Sequence, residues 1–348
     1  MTKRKARLFL NLAGLALPVL FWALPARAQS EPGSAWNGFL AGLALEYRLP
    51  PEAAGAREQY LAAARAGSRE ALLGLVRLHG PGSPLWQGPD LWRDHLLAAA
   101  RAGWAEAALT LAEALEKKTV TGLDPIPFYL QAAAAGQSAA AHRLAALYDE
   151  GAGGLSRDPG QALLWLTVAA ARDDREAALE LGRYYYQKNP EAAAVWLEKS
   201  GTPEAWYWLG EIHLRNRHFS EAVAAFTRAA EAGRLEAHLA LGLLNLENDF
   251  GRRPDPRAAL RHFKTAADLP EGAYQLGRMF LAGQATPKDP ITGAFWLYQA
   301  AEKGHERARV EYDKLGLNFT PGQQKRLERM IEEGLAPTTR TKPEAGLK

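Results

Sequence analysis

From about Arg57 onward the chain repeats a pattern of apolar and polar positions whose length falls in the mid-thirties, and each period holds two amphipathic stretches. In the first stretch an alanine stands four residues after an opening glycine or its equivalent (Ala71, Ala107, Ala140, Ala177, Ala205, Ala237), and a leucine stands eight after. An aromatic often follows three beyond the next small residue (Tyr148, Tyr185, Phe280). These offsets follow the 3.6-residue helical period and mark one buried face, and a larger residue at the small positions is expected to clash. The second stretch opens on an acid or amide followed by proline: Asp158-Pro159, Asn189-Pro190, Asp255-Pro256 and Asp289-Pro290. Such a side chain caps free backbone N–H groups, and proline fits the first helical turn, where no N–H bond is lost. A bulky residue comes seven after the cap: Trp165, Trp196, Trp296 or His262.

The opening phrase is written many times, as GRLEAHLALG from Gly233, GSREALLGLV from Gly67, GWAEAALTLA from Gly103, DDREAALELG from Asp173 and GTPEAWYWLG from Gly201. Its closing small position falls at Val76, Ala112, Ala145, Gly182, Gly210, Gly242 and Gly277, giving intervals of 36, 33, 37, 28, 32 and 35 residues. A period in that range belongs to helical-pair repeats. The shortest unit replaces its inter-helix loop with QKNP, and Arg217 to Phe219 has only a tight turn. The recurrent Glu70, Glu106, Glu176, Glu204, Glu236 and Glu271 fall in the predicted first turn of the first helix, where the helix dipole stabilises a carboxylate by about 0.3–1 kcal/mol. A row of acids along an inner rim is the functional alternative.

These features together, a period in the mid-thirties, Ala-x-x-x-Leu-Gly-x-x-Tyr, a glycine-rich loop, Asp-Pro and then Ala-x-x-Trp-x-x-x-Ala-Ala-x-x-Gly, resemble the Sel1-like repeat family, relatives of the tetratricopeptide repeats. The resemblance spans about Arg57 to Leu317. It is closest over 136–171 and 277–304, while HFSEAVAAFTRAAEAG (218–233) looks more like a plain tetratricopeptide second helix. It implies an all-α fold, a right-handed α-solenoid of antiparallel helix pairs. The resulting organisation is 1–28 signal peptide, 29–56 N-terminal segment or cap, 57–317 repeats, 318–335 C-terminal capping helix and 336–348 disordered tail. The capping helix has Thr320 as cap, Pro321 in its first turn, Gly334 as stop, and Leu327, Met330 and Ile331 as an apolar stripe.

Composition changes the picture at the N-terminus. Lys3, Arg4, Lys5 and Arg7, then the apolar run Leu8 to Leu24, then Ala26-Arg27-Ala28, have the form of an export signal cleaved after Ala28, which implies a periplasmic chain. Its removal takes five basic residues from 42, leaving 37 against 39 acids, a net charge of −2, so nothing points to nucleic acid. There is no cysteine, hence no disulfide, no thiolate metal site and no N-terminal lipid on cysteine. Membrane association would then come only through a partner or an uncleaved signal.

Catalytic spacing is absent. The eight histidines (79, 95, 142, 213, 218, 238, 262, 305) form no metalloprotease pair, and no nucleophile elbow, phosphate loop or dinucleotide fingerprint occurs. No catalytic residue, metal or cofactor is expected; His95 and His262 are expected to pack in second helices. In tetratricopeptide-like arrays the first helices line the concave face. That register puts Arg183, Tyr186, Glu204, Tyr207, Glu211, Arg215, Tyr274 and Arg278 on a partner-binding groove, suited to a peptide, a helix or a stacked glycan. The reading is a non-enzymatic envelope scaffold. The last third is similar to periplasmic repeat scaffolds of exopolysaccharide export complexes, although those are lipoproteins. A regulator of a sensor kinase or cell-wall enzyme, and a glycan-binding or glycan-cleaving protein, are the alternatives.

Overall fold

The computed structural model describes residues 34–46, 53–83, 85–247, 253–316 and 318–334; the proposed signal peptide and tail lie outside them. Among the described residues there are eighteen helices and no strand, in two compact units that divide after Arg172. The first unit holds α1 (Ser34–Glu46), α2 (Ala53–Arg65), α3 (Arg69–Leu78), α4 (Pro89–Arg101), α5 (Ala105–Glu116), α6 (Ile126–Ala134), α7 (Ser138–Glu150) and α8 (Pro159–Ala171). The second holds α9 (Arg175–Tyr185), α10 (Pro190–Ser200), α11 (Pro203–Arg215), α12 (Phe219–Glu231), α13 (Leu235–Leu246), α14 (Pro256–Thr265), α15 (Pro270–Ala282), α16 (Pro290–Glu302), α17 (Glu306–Gly316) and α18 (Pro321–Glu333). Each odd-numbered helix up to α15 pairs with the even-numbered helix that follows it, as expected of a helix-pair solenoid.

The capping chemistry is where the sequence placed it. Asp158, Asn189, Asp255 and Asp289 each accept a backbone N–H of the first turn of α8, α10, α14 and α16, with proline beside them. Ser68, Asp174 and Thr202 do the same for α3, α9 and α11. The opening glycine of the phrase has its own cause: Gly67, Gly103, Gly136, Gly233 and Gly304 have φ between 86° and 104°, a backbone state that closes the turn between one pair and the next and that a Cβ disfavours. The six recurrent glutamates lie in the first turn of their helices.

The periodic face is the core. Ala71, Ala107, Ala140, Ala177, Ala205 and Ala237 are no more than 2% exposed, and the matching leucines from Leu75 to Leu241 no more than 4%. The small position receives a side chain of the paired helix: Leu197 over Gly182, Phe226 over Gly210, Phe263 over Gly242, and Leu297 against Gly277. These side chains stand eight residues after their caps, one later than the bulky position read from the sequence. Trp165, Trp196 and Trp296 themselves are half-buried beside them. In the segment assigned as an N-terminal cap, α1 packs on α2, with the Tyr60 ring held between Gly42 of α1 and Gly74 of α3. At the other end α18 carries a Thr320–Gln323 capping box and lays Leu327, Met330 and Ile331 against Ile291 and Phe295 of α16.

Successive pairs are joined by polar arms that reach back about one period. Trp104 Nε1 donates to Arg69 O (3.0 Å), Gln131 Nε2 to Ala100 O (2.6 Å), Arg172 to Ala133 O, and Lys303 Nζ to Ala267 O (3.2 Å). Two triads bind three consecutive helices. Tyr60 donates to Glu46 Oε2 (2.6 Å), which Arg77 also meets (3.0 Å), and Tyr129 donates to Glu116 Oε2 (2.6 Å), while Arg143 clasps the same carboxylate with Nε on Oε2 and Nη2 on Oε1. Hydrogen bonding to Arg143 holds the Glu116 carboxyl below its ordinary range despite partial burial.

Candidate functional site

Two first helices of the second unit, α9 and α11, bring six of the eight groove residues into one contiguous surface, which the start of α13 borders. Glu204, in the first turn of α11, is its hub. It accepts from Trp208 Nε1 at 3.2 Å, one helical turn along, and faces Arg183 of α9 at 3.8 Å and Arg234, which precedes α13, at 3.6 Å. Arg234 Nε also lies 3.5 Å from Glu236. Arg215, at the end of α11, reaches back one period to donate to Tyr186 O (3.2 Å) while its guanidinium lies 4.9 Å from the Tyr186 ring.

The aromatic groups form a continuous row. Tyr186 meets Trp208 edge-on at 4.8 Å, Trp208 meets Tyr207 at 5.7 Å, and Tyr207 leans on the buried Phe226 at 5.8 Å, with Arg234 5.3 Å from the Tyr207 ring. Tyr186, Tyr207, Trp208, Glu204 and Glu211 are half-buried, whereas Arg183 and Arg215 are exposed. Burial and the neighbouring Glu211 and Glu236 push the Tyr207 phenol up to about 12, so it stays a hydrogen-bond donor. Burial raises the nearby Glu211 carboxyl above its ordinary value. Three guanidinium groups, three carboxylates and three rings thus offer donors, acceptors and apolar area together, the composition found at binding hot spots.

The remaining two groove residues separate. Tyr274 is 1% exposed, stacked on His305 at 4.3 Å with its hydroxyl donating to Glu311 Oε1 at 2.8 Å; it is a core residue, and its assignment to a groove surface is corrected. Its position, like that of Tyr60 and Tyr129, is filled by a phenol that buries its ring and ties its hydroxyl to a glutamate. Arg278 is exposed and lies 5.7 Å from the Tyr274 ring. Trp208 and Arg234, which join the surface together, were not singled out in the sequence. Arg234 stands one residue past an opening glycine, at a position that varies from unit to unit, so no periodic signal marked it.

Histidines meet as pairs. His79 and His95 stack at 4.7 Å with Nδ1 atoms 3.3 Å apart, and His238 and His262 bring theirs to 3.0 Å. Burial and the neighbouring His95 and Arg57 charges lower the His79 imidazole to about 4, and burial also lowers His95 and His262. Among the described residues no three His, Asp or Glu side chains gather as metal ligands.

The Sel1 repeat family profile matches residues 138–174, 175–202, 235–269 and 270–305. It skips 203–234, which includes the stretch that reads more like a tetratricopeptide helix. A search of the curated proteins gives no significant match. Among solved structures, a protective antigen of uropathogenic Escherichia coli with an SLR fold is 23% identical over 90% of this chain and 73% of its own, with a TM-score of 0.61. A Sel1 repeat protein from Oxalobacter formigenes is 23% identical over 86% of this chain and 93% of its own, with a TM-score of 0.57. The chain thus carries four Sel1 repeats between residues 138 and 305 and shares the helix-pair fold of these structures.

Proposed function

We propose that the chain is a non-enzymatic scaffold of the bacterial envelope that captures a protein partner on the surface of α9, α11 and the start of α13. Sel1 repeat proteins generally mediate protein–protein interactions and are typically non-catalytic. The observation that carries the reading is the Glu204-centred cluster, in which Arg183, Tyr186, Tyr207, Trp208, Glu211, Arg215 and Arg234 meet from three successive repeats. Rings and guanidiniums already held by neighbours lose little side-chain entropy on binding, which favours recognition by a preformed surface. The export-type N-terminus supports a periplasmic location, and no helix among the described residues is long and apolar enough to cross a membrane. Assisting exopolysaccharide export is the process this reading favours.

A glycan reading draws on the aromatic row, but Arg215 over Tyr186 and Arg234 over Tyr207 occupy ring faces that a sugar would need, and Tyr186 and Trp208 meet edge to face. The test is photocrosslinking in cells from a photoreactive phenylalanine at Arg183, with Gln161 on the exposed side of α8 as control. One discrete partner captured at 183, absent at 161 and lost when Trp208→Ala is added, supports the surface. Equal capture at both positions refutes it.

A further inference from the structure

Two arginines, one of them from the groove set, flank the Tyr274 ring. Arg183 and Arg234 face Glu204, and Arg143 is clasped by Glu116, but among the described residues neither Arg278 of α15 nor Arg307 of α17 makes an ion pair. Both lie instead about one ring from Tyr274, at 5.7 and 5.8 Å, and that ring is buried and neutral. Both side chains are exposed, on neighbouring first helices, with the Glu311 carboxylate between them on the Tyr274 hydroxyl.

Beside Arg278 the surface opens into a pocket of about 500 Å³. Leu246 at the end of α13, Pro254 and Pro256 at the start of α14, and Met279 of α15 give it an apolar lining, with Gln275 and Arg278 on its polar side. Arg278 is the one charged residue among the described lining residues. Asp255, between the two prolines, is committed to capping α14 through Ala258 N at 2.9 Å, and Gln275 gives its Nε2 to Glu271 at 2.6 Å. A guanidinium with no ion-pair partner, at the rim of a hollow with one apolar and one polar wall, is complementary to an anionic group carried next to an apolar one.

We infer that this pocket binds an acidic segment of the partner polypeptide, seating an apolar side chain on Leu246, Pro254 and Pro256, above the buried Met279, and its adjacent carboxylate on Arg278. The chain's own last residues do not fit that description: Ala336 to Lys348 holds Arg340, Lys342 and Lys348 against the single acid Glu344. The inference rests on the reading of the chain as a polypeptide-binding scaffold, and it adds a sequence preference to that reading.

The chain has three methionines, Met1, Met279 and Met330, which makes a methyl-labelled sample a direct reporter. Met279 lines the pocket, and Met330 packs between α18 and α16 as an internal control. The purified chain, labelled with ¹³C-methyl methionine and assigned with Met279→Leu and Met330→Leu, is titrated with the acetylated tetrapeptide amides Ser-Leu-Asp-Ser, Ser-Leu-Asn-Ser and Ser-Leu-Lys-Ser. The expected result is a saturable shift of the Met279 methyl with the aspartate peptide and a still Met330. Affinity falls up to about fivefold for the asparagine peptide, the worth of one exposed ion pair, and further for the lysine peptide. In Arg278→Gln, with an unchanged circular dichroism spectrum, the three peptides become equivalent. No Met279 shift at millimolar peptide, the same response to lysine as to aspartate, or an unaltered preference in Arg278→Gln overturns the inference. Crosslinking at Arg183 reports on the other surface, so capture there with a silent Met279 refutes this pocket alone.

Discussion

The close approach of Phe226 to Gly210 gives the sharpest test of how these helices are paired. An added methyl in Gly210→Ala would lie 2.6 Å from Cδ1 and Cε1 of the Phe226 ring and 2.8 Å from Cζ, where carbon contacts want about 3.5–4.0 Å. The ring is 0% exposed, so it has nowhere to go without moving α12 from α11. Overpacking of this kind costs about 1–3 kcal/mol, and the gain in helix propensity from glycine to alanine offsets about 1 of that. The net expectation is a loss of about 0–2 kcal/mol. The same substitution at Gly322, where nothing lies within 4 Å, should be neutral or stabilising by up to about 1 kcal/mol. Urea unfolding followed by circular dichroism measures both. Native-state hydrogen exchange places the Gly210 effect in α11 and α12, as a repeat array does not have to unfold in one step. Phe226→Ala alone should cost about 3–5 kcal/mol, and adding Gly210→Ala to it should cost nothing more, since the methyl then has room. Equal stabilisation by the two alanines, or simple additivity with Phe226→Ala, would refute the argument.

Three further outcomes follow from the polar groups. Because the Glu116 carboxyl is depressed in the folded chain, its contribution is present above the unfolded value and is lost as pH falls through the folded one; Glu116→Gln should therefore flatten the acid limb of a stability–pH curve. His79 titrates at about 4 instead of 6.5, so the folded chain binds fewer protons than the unfolded one between those values; stability present above pH 6.5 should decline through that window, and His79→Gln should reduce the decline, with imidazole NMR shifts giving the folded value directly. Tyr129→Phe removes a hydrogen bond to a carboxylate and should lower stability by about 1–3 kcal/mol, read from the urea midpoint.

The repeat, its caps and its buried face were legible because each depends on neighbours three to eight residues away. Asp289 and Pro290 start α16 on their own authority, and Ala205 with Leu209 define a face whatever packs on it. The candidate surface was legible only as a set of positions. Knowing that Arg183 and Glu204 point the same way does not say that they meet, nor that Arg234 completes the contact, because these distances depend on how far one repeat rises above the last. The error at Tyr274 has the same origin. The position that offers an aromatic to the outside in α11 turns inward in α15, where His305 arrives to stack on it. The histidine pairs join residues 16 and 24 apart, outside any motif spacing.

Within a pair the helices interlock side chain against glycine; from one pair to the next, much of the polar linkage is carried by arms such as Gln131 to Ala100 O and Lys303 to Ala267 O that solvent can replace bond for bond. Where such arms carry the linkage, each unit is expected to behave as rigid plates on more compliant springs. A pull or a bulky guest would change the pitch between plates before it bent any plate, and the rise per repeat would be its softest coordinate. The Tyr60 and Tyr129 triads, each gripping three helices at once, would act as stops that limit this travel in the first unit.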